Sequence, residues 1–128
     1  MKNIIKYLVK KGESVVWDEV MIYDKNNLEG ETEIRAVVED GGNLILKGKI
    51  LIQKDAVGAN AFLRFKVLLL GLTSRAEVDP ELEILTNDVK ASHAASVGQV
   101  DSEQLFYLMS RGFNKQKAIE LIVESFLN

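Results

Sequence analysis

The sequence predicts a mainly β protein that continues into a pair of helices, and three observations lead to this fold class. Residues 14–100 divide into short blocks rich in β-branched and aromatic residues, separated by Gly, Asn and Asp. Apolar residues recur in this region every 16 to 17 positions. From residue 101 onward the apolar residues change to helical spacing. A β-solenoid and an antiparallel sandwich both satisfy the first two observations.

Residues 3–11 are expected to form a short amphipathic helix or strand that covers the first coil of a repeat array. Such arrays need caps over their terminal apolar faces. Strand blocks follow at residues 33–38 and 43–47. Residues 25–27 and 40–43 are rich in Asn, Asp and Gly, which tolerate positive φ and favour turns. Turns at such short intervals are typical of an all-β fold.

Two columns of apolar residues define the repeat. One column consists of Trp17, Ile34, Ile50, Val67 and Ile84, and the other of Leu28, Leu44, Ala61, Val78 and Ala95. In a β-solenoid, equivalent residues of successive coils stack on one another and produce columns of this kind. A chain that is 47% apolar also forms such columns by composition, so the spacing alone leaves the sandwich open.

The last part of the chain predicts two helices. Asp101 is a good N-cap with capping-box spacing to Gln104, and Gly112 is the expected C′ residue of the same helix. Asn114 is the expected N-cap of the second helix. The residues expected on one apolar face are Leu105, Leu108 and Met109 in the first helix and Ile119, Ile122, Val123 and Phe126 in the second.

Composition excludes several classes of function. The chain has 16 Lys and Arg against 19 Asp and Glu, so it lacks the basic excess of nucleic-acid-binding proteins. Cysteine is absent, which removes disulfides, thiol nucleophiles and thiolate ligands and fits a reducing compartment. The longest apolar run, residues 67–72, is far too short to span a membrane as a helix. We therefore expect a cytoplasmic protein that binds neither nucleic acid nor membrane.

Three segments near the C-terminal end carry a specific motif. Residues 80–84 read PELEI, residues 87–98 read NDVKASHAASVG, and residues 101–112 read DSEQLFYLMSRG. Together they resemble the C-terminal signature of the SufB/SufD family of iron-sulfur cluster assembly proteins. That signature is a P-x-L-E-I strand, a D-D-V-K-[CA]-S-H-G-A-T-V-G turn and strand, and a helix D-x-E-Q-L-F-Y-L-x-S-R-G. A weaker likeness extends upstream to about Gly30, and members of the family are several times longer than this chain.

The resemblance implies a fold and a function. It implies a right-handed parallel β-helix, here of about five short coils, with a C-terminal helical pair. Residues 1–128 then form one SufBD-like domain, with residues 1–100 as β-helix and N-terminal cap and residues 101–128 as the helices. The implied function is that of a SufD-like scaffold subunit of iron-sulfur cluster biogenesis, not an enzyme.

His93, the only histidine, is the candidate metal residue. In the family, the histidine of the K-[CA]-S-H motif is near the dimer interface and is implicated, with a partner cysteine, in building the nascent cluster. Here the position of the motif's cysteine is Ala91, and Ala94 replaces the following glycine. A cluster needs about four ligands, mostly thiolates. We therefore expect no cofactor in the isolated chain, and an iron-sulfur cluster only if a partner shares it. The other interpretation of His93 is a structural residue at a strand end or subunit contact.

The resemblance also implies two partners. The terminal helices of the family dock onto SufC, an ABC-type ATPase, and we expect residues 101–128 to contact a SufC-like protein. Phe106, Tyr107, Arg111 and Phe113 are the expected anchors, because aromatic and arginine residues dominate interface energies. The second expected partner, a SufB-like subunit or a second copy in a homodimer, binds through the last coils near His93.

Two alternatives remain open at this stage. In the first alternative, the chain is a small cupin-like metal-binding or enzymatic β protein that uses His93. In the second, it is a degenerate relative outside cluster assembly. Carboxylates that a metal site would draw on are Asp79, Glu81, Glu83, Asp88 and Glu103. Glu81 and Glu83 are two residues apart in a predicted strand, so they share one face, for which solvated surface is the simpler interpretation.

Overall fold

The computed structural model describes residues 2–128 as seven strands followed by two helices. The strands are β1 (Lys2–Val9), β2 (Ser14–Tyr23), β3 (Glu29–Val38), β4 (Asn43–Ile52), β5 (Asn60–Leu69), β6 (Arg75–Ile84) and β7 (Lys90–Gln99). The helices are α1 (Ser102–Ser110) and α2 (Lys115–Leu127).

The strands alternate between two parallel sheets. The first sheet has the order β1-β3-β5-β7 and the second the order β2-β4-β6. Each strand pairs in parallel with the strand two later, as where Ile34 lies beside Phe65. The chain therefore crosses from one sheet to the other after every strand and winds into a β-solenoid of about three turns. The predicted parallel β-helix with a helical pair is confirmed, and the antiparallel sandwich is excluded.

The predicted number of coils is wrong. Paired residues in one sheet are between 29 residues apart (Ser14 with Asn43) and 32 residues apart (Asn43 with Arg75). The 16 to 17 residue spacing is thus the step from one strand to the next strand of the opposite sheet, which is half a turn. The inward-facing residues of both sheets line one interior, so every strand contributes an apolar residue to each column. The 16 to 17 residue spacing therefore gives the number of strands and not the number of coils.

The N-terminal segment, for which the sequence predicts a helix or a strand, is the strand β1. It is the first strand of the first sheet and pairs with β3. Tyr7 lies beside Ala36 and Trp17 beside Leu46, so both rings face the interior. They meet edge to face with 4.3 Å between ring centroids and cover the interior of the first turn.

The corners of the solenoid repeat with the length of a full turn. Asn27, Gly58 and Asp88 occupy one corner with φ of 57°, 78° and 56°. The amide of Asn27 donates to the carbonyl of Val57 at 2.9 Å, and the amide of Gly58 donates to the carbonyl of Asp88 at 2.9 Å. Gly, Asn and Asp tolerate this left-handed conformation, which explains why they recur here.

The interior is filled mainly by aliphatic side chains, and Phe65 is its most deeply buried aromatic residue. The largest fully buried apolar side chains are Phe65, Ile34, Leu44, Leu46, Ile50, Ile52 and Leu63. Phe65 lies opposite Gly48, where an added Cβ would overlap the phenyl ring. The glycine therefore makes room for the ring, and the two positions act as one packing unit.

The helices begin and end where the sequence predicts. The Asp101 side chain accepts from the amide of Glu103 at 2.9 Å, and that of Asn114 accepts from the amide of Lys117 at 2.8 Å. Gly112 has φ of 102° immediately after the C-cap of α1. Within residues 2–128, no helix is long and apolar enough to cross a membrane.

The helical pair packs on the outward face of the first sheet. Ile122 of α2 is buried in one cluster with Val37 and Leu68, which face outward from β3 and β5. The partly buried members of this cluster include Leu105, Leu108, Val123, Phe126 and Leu127. Met109 was expected on the same face as Leu105 and Leu108, but it is 43% exposed. It follows Leu108 by one residue and is therefore turned about 100° around the helix axis, away from the sheet.

Candidate functional site

The four expected anchor residues all lie on the surface. Phe106 is 74%, Tyr107 58% and Phe113 39% exposed, and Arg111 is also exposed. The Arg111 guanidinium lies 5.9 Å from the centroid of the Tyr107 ring. These four residues and Met109 lie on α1 and the turn that follows it, and together we call them the α1 surface. None of its members is needed to fill the core.

The turn after α1 fixes the position of Phe113. The amide of Gly112 donates to the carbonyl of Met109 at 3.1 Å, and the amide of Phe113 donates to that of Leu108 at 3.3 Å. Such bonds around a left-handed glycine define a tight helix end. The α1 surface is thus presented by a helix and a closed turn, which limits the entropy lost when a partner binds.

A cavity of about 490 Å³ separates the helical pair from the loop after β5. Its lining includes Leu72, which is 91% exposed, and Leu105. Asp40 holds this loop by accepting from the amide of Thr73 at 2.9 Å and from the Thr73 hydroxyl at 2.5 Å. These hydrogen bonds lower the pKa of the Asp40 carboxyl. The cavity therefore has a pinned loop on one side and the helices on the other.

His93 is exposed on β7, the last strand of the first sheet. It lies beside Leu63, which is fully buried, so His93 belongs to the interior-facing column of its sheet. Ala91, at the cysteine position of the motif, is in the same column beside Ala61. Within the described residues no strand follows β7 in this sheet, which is why an inward-facing position is open to solvent.

The last turn of the solenoid exposes apolar residues that earlier turns cover. Leu82 lies beside Ile50 and Val97 beside Val67, both of which are buried. Yet Leu82 is 38%, Ile84 42% and Val97 45% exposed. We call Leu82, Ile84, His93 and Val97 the open-end surface. A sheet edge with an apolar interior beside it favours pairing with another chain.

Within residues 2–128, no three His, Cys, Asp or Glu side chains are grouped so that they could hold a metal ion. The carboxylates considered from the sequence, Asp79, Glu81, Glu83, Asp88 and Glu103, are exposed. Glu83 instead forms an ion pair with Lys49 at 3.0 Å. The structure offers no support for a cupin-like metal site.

Sequence reasoning missed a buried carboxylate. Glu33 is 1% exposed on the outward face of β3, and its carboxylate accepts from the Arg35 side chain. Burial raises the pKa of Glu33, but the hydrogen bond from Arg35 and the charges of Arg35, Lys66 and Lys2 outweigh burial and lower it. The partners come from three strands, and no local pattern brings them together.

The fold defines a class: a parallel β-solenoid that continues into a helical pair and exposes apolar side chains on α1 and at its last turn. The protein-family model described as "SUF system FeS cluster assembly, SufBD core domain" matches residues 3–126. The chain belongs to this SufBD family. The match covers almost the whole chain and extends upstream of Gly30, where the sequence resemblance faded.

Individual relatives agree with the family match. The chain is 42% identical over 99 residues to the iron-sulfur cluster assembly protein SufD of Bacillus subtilis, covering 77% of this chain and 23% of that protein. It is 38% identical over 92 residues to SufD of Escherichia coli, covering 72% of this chain and 22% of that protein. A SufBD family protein of Staphylococcus saprophyticus is 32% identical over 107 residues, covering 84% and 23%. The chain thus spans less than a quarter of the length of these relatives.

Proposed function

We propose that this chain acts as a SufD-like, non-catalytic assembly subunit in iron-sulfur cluster biogenesis. Membership of the SufBD family supports the pathway. The two exposed surfaces support action by contact, because each lies in a segment that carries the family signature. A degenerate relative outside cluster assembly is the competing hypothesis, and the binding experiments below separate the two.

The α1 surface is the proposed contact for a SufC-like ABC-type ATPase. The single observation that carries this proposal is the 74% exposure of Phe106 in a rigid helix that packs on the sheet through other residues. A large aromatic side chain that is exposed to this extent contributes little to the stability of the described chain. Partner binding would remove it from water and gain its hydrophobic free energy.

Phe106→Ala is expected to weaken binding of the SufC-like ATPase from the same organism by about 30-fold or more, the effect of losing an anchor worth about 2 kcal/mol. Arg111→Ala is expected to weaken it in the same direction. Isothermal titration calorimetry measures both. Because Phe106 and Arg111 are exposed, unfolding free energies should stay within about 0.5 kcal/mol of wild type, which separates lost binding from lost folding.

Val16→Ala is the matched control, because Val16 is 64% exposed on the second sheet, away from the helices. This variant should bind like wild type. Absence of binding by the wild-type chain would refute the docking proposal and favour the degenerate relative. Equal binding by wild type and Phe106→Ala would remove the α1 surface from the contact.

The open-end surface is the proposed contact for a SufB-like subunit or for a second copy of this chain. The exposed interior column and the free edge of β7 support it. Two copies meeting edge to edge by a two-fold axis would cover both apolar ends at once. His93 would then lie at the subunit contact, where iron is bound only if the partner contributes further ligands.

Light scattering of the isolated chain is expected to give a mass near twice 14.3 kDa at micromolar concentration. Val97→Glu should return the mass to that of a monomer, because it puts a charge into the apolar contact. Val16→Glu, which adds the same charge on the outward face of the second sheet, should leave the dimer intact. A wild-type mass near 14.3 kDa throughout the micromolar range would exclude the homodimer.

A further inference from the structure

The buried Glu33 carboxylate lies beneath a group of cationic side chains on the outward face of the first sheet. Lys2 Nζ is 3.6 Å, Arg64 Nε 3.7 Å and Lys66 Nζ 3.7 Å from the same oxygen, Glu33 Oε1. Arg35 occupies the other carboxylate oxygen. One buried negative charge is therefore shared by four cations, and three of them converge on a single atom.

The other charged residues of the four strands do not neutralise the excess. By strand alternation, the charged residues that face outward from the first sheet are six cations, Lys2, Lys6, Arg35, Arg64, Lys66 and Lys90, and three carboxylates, Glu29, Glu31 and Glu33. The strands of this face thus carry a charge of +3, in a chain whose formal net charge is −3. The outward face of the second sheet has the opposite sign, with three cations, Lys47, Lys49 and Arg75, against five carboxylates, Asp18, Glu77, Asp79, Glu81 and Glu83.

The cations remain accessible. The side chains of Lys2, Arg64 and Lys66 are 45%, 41% and 39% exposed, whereas Arg35 is 12% exposed and also donates to the carbonyl of Leu127 at 3.3 Å. Arg35 is thus occupied within the fold. Lys2, Arg64 and Lys66 keep donors free for a ligand.

The strand beside Arg64 and Lys66 provides a floor for a ligand. The outward residues of β7 next to β5 are Ser92, Ala94, Ser96 and Gly98. These small side chains leave a shallow shelf along which the longer cationic side chains stand. Arg64 and Lys66 are two residues apart on one strand, about 6.6 Å, and an extended peptide repeats its own side chains at the same distance.

We propose that this shelf binds an extended acidic segment of a partner protein, with carboxylates at alternate positions paired to Arg64 and Lys66. The spacing of the cations, the small residues beside them and the uncompensated charge all favour such a ligand. Several charge pairs formed together give specificity and faster association, although each exposed pair alone contributes little. This surface uses the outward residues of β7, whereas the open-end surface uses the inward residues His93 and Val97 of the same strand. It does not depend on the proposed ATPase contact.

Fluorescence anisotropy with a fluorescein-labelled peptide of five Glu-Ser repeats tests the proposal. Arg64→Gln/Lys66→Gln is expected to raise the Kd about tenfold or more. Lys47→Gln/Lys49→Gln removes the same charge at the same spacing from the second sheet and should change the Kd less than about twofold. The Gln-Ser peptide of equal length should not bind. Thermal unfolding checks that the variants fold. If Arg64→Gln/Lys66→Gln does not fold, Lys2→Gln, which is also expected to raise the Kd, replaces it.

Three results would overturn the proposal. If the two double variants weakened peptide binding equally, binding would depend only on the net charge of the chain and not on this surface. Displacement of the peptide by inorganic phosphate at an equal concentration of charge would identify a simple anion site. Self-association at low salt that is lost in Arg64→Gln/Lys66→Gln would mean that the acidic face of a second copy is the ligand.

Discussion

Phe65→Ala is expected to destabilise the protein by about 3–5 kcal/mol, the cost of removing a fully buried ring from a packed core. The ring lies between Ile34 and Ala95 in its sheet and fills the space opposite Gly48. The cavity cannot close from that side, because glycine has no side chain to move into it. Urea unfolding followed by circular dichroism measures the loss.

Phe106→Ala is the matched control for this prediction, since it makes the same chemical change at a side chain that is 74% exposed. Its effect on stability should stay within about 0.5 kcal/mol. Gly48→Ala should cost about 1–3 kcal/mol by overpacking, and clearly less when Phe65 is also changed to leucine. Additive effects of these two substitutions would contradict the packing unit.

Glu33→Gln is expected to destabilise the protein by about 2–3 kcal/mol at pH 7, because it leaves Arg35 partly buried without its counter-ion and removes the charge that holds the cations together. Loss of the carboxylate should also loosen the contact of Arg35 with the end of α2. Urea unfolding at pH 7 measures the effect. Glu83→Gln is the control: Glu83 pairs with Lys49 at 3.0 Å but is 47% exposed, so its loss should cost less than about 1 kcal/mol.

The effect of Glu33→Gln should depend on pH. The pKa of Glu33 in the folded protein is below its ordinary value of 4.5. A lowered folded pKa means that the ionised carboxylate stabilises the fold fully above pH 4.5 and loses this contribution as the pH falls through the folded pKa. The difference in stability between wild type and Glu33→Gln should therefore shrink below pH 4.5. A difference that stays constant from pH 7 to pH 3 would contradict the ion-pair explanation.

The helical part of the fold could be predicted from the sequence because its signals are local. The cap bonds donated by the Glu103 amide to Asp101 and by the Lys117 amide to Asn114 span two and three residues. The number of turns could not be obtained from the apolar columns, since both sheets contribute to one interior. The turn residues Asn27, Gly58 and Asp88, which are 31 and 30 residues apart, recorded the true length of a coil. They were the better signal, because a corner occurs once per turn on each side.

The sequence identified the candidate site residues, but it did not predict how they are placed in the fold. Phe106, Tyr107, Arg111 and Phe113 were chosen from residue type and the family motif, and their binding role stays a prediction. Only the structure could show that these side chains are exposed, because helical spacing does not reliably separate packed from exposed residues. It assigned Met109 to the packed face, although Met109 is exposed. For His93, the motif identified the residue, and the strand order then revealed that it lies in an interior column left open at the last turn.

By itself, the sequence determined the strand and helix content after residue 14, the starts of the two helices and the membership of a family, because these rest on short motifs and on contacts between near neighbours. Only the tertiary structure decided the number of turns, the open end and the cluster around Glu33. Lys2, Glu33 and Arg64 are each about one coil apart in the chain. Neighbours across a parallel sheet are always separated by a full turn, so their charges interact only after the solenoid has wound.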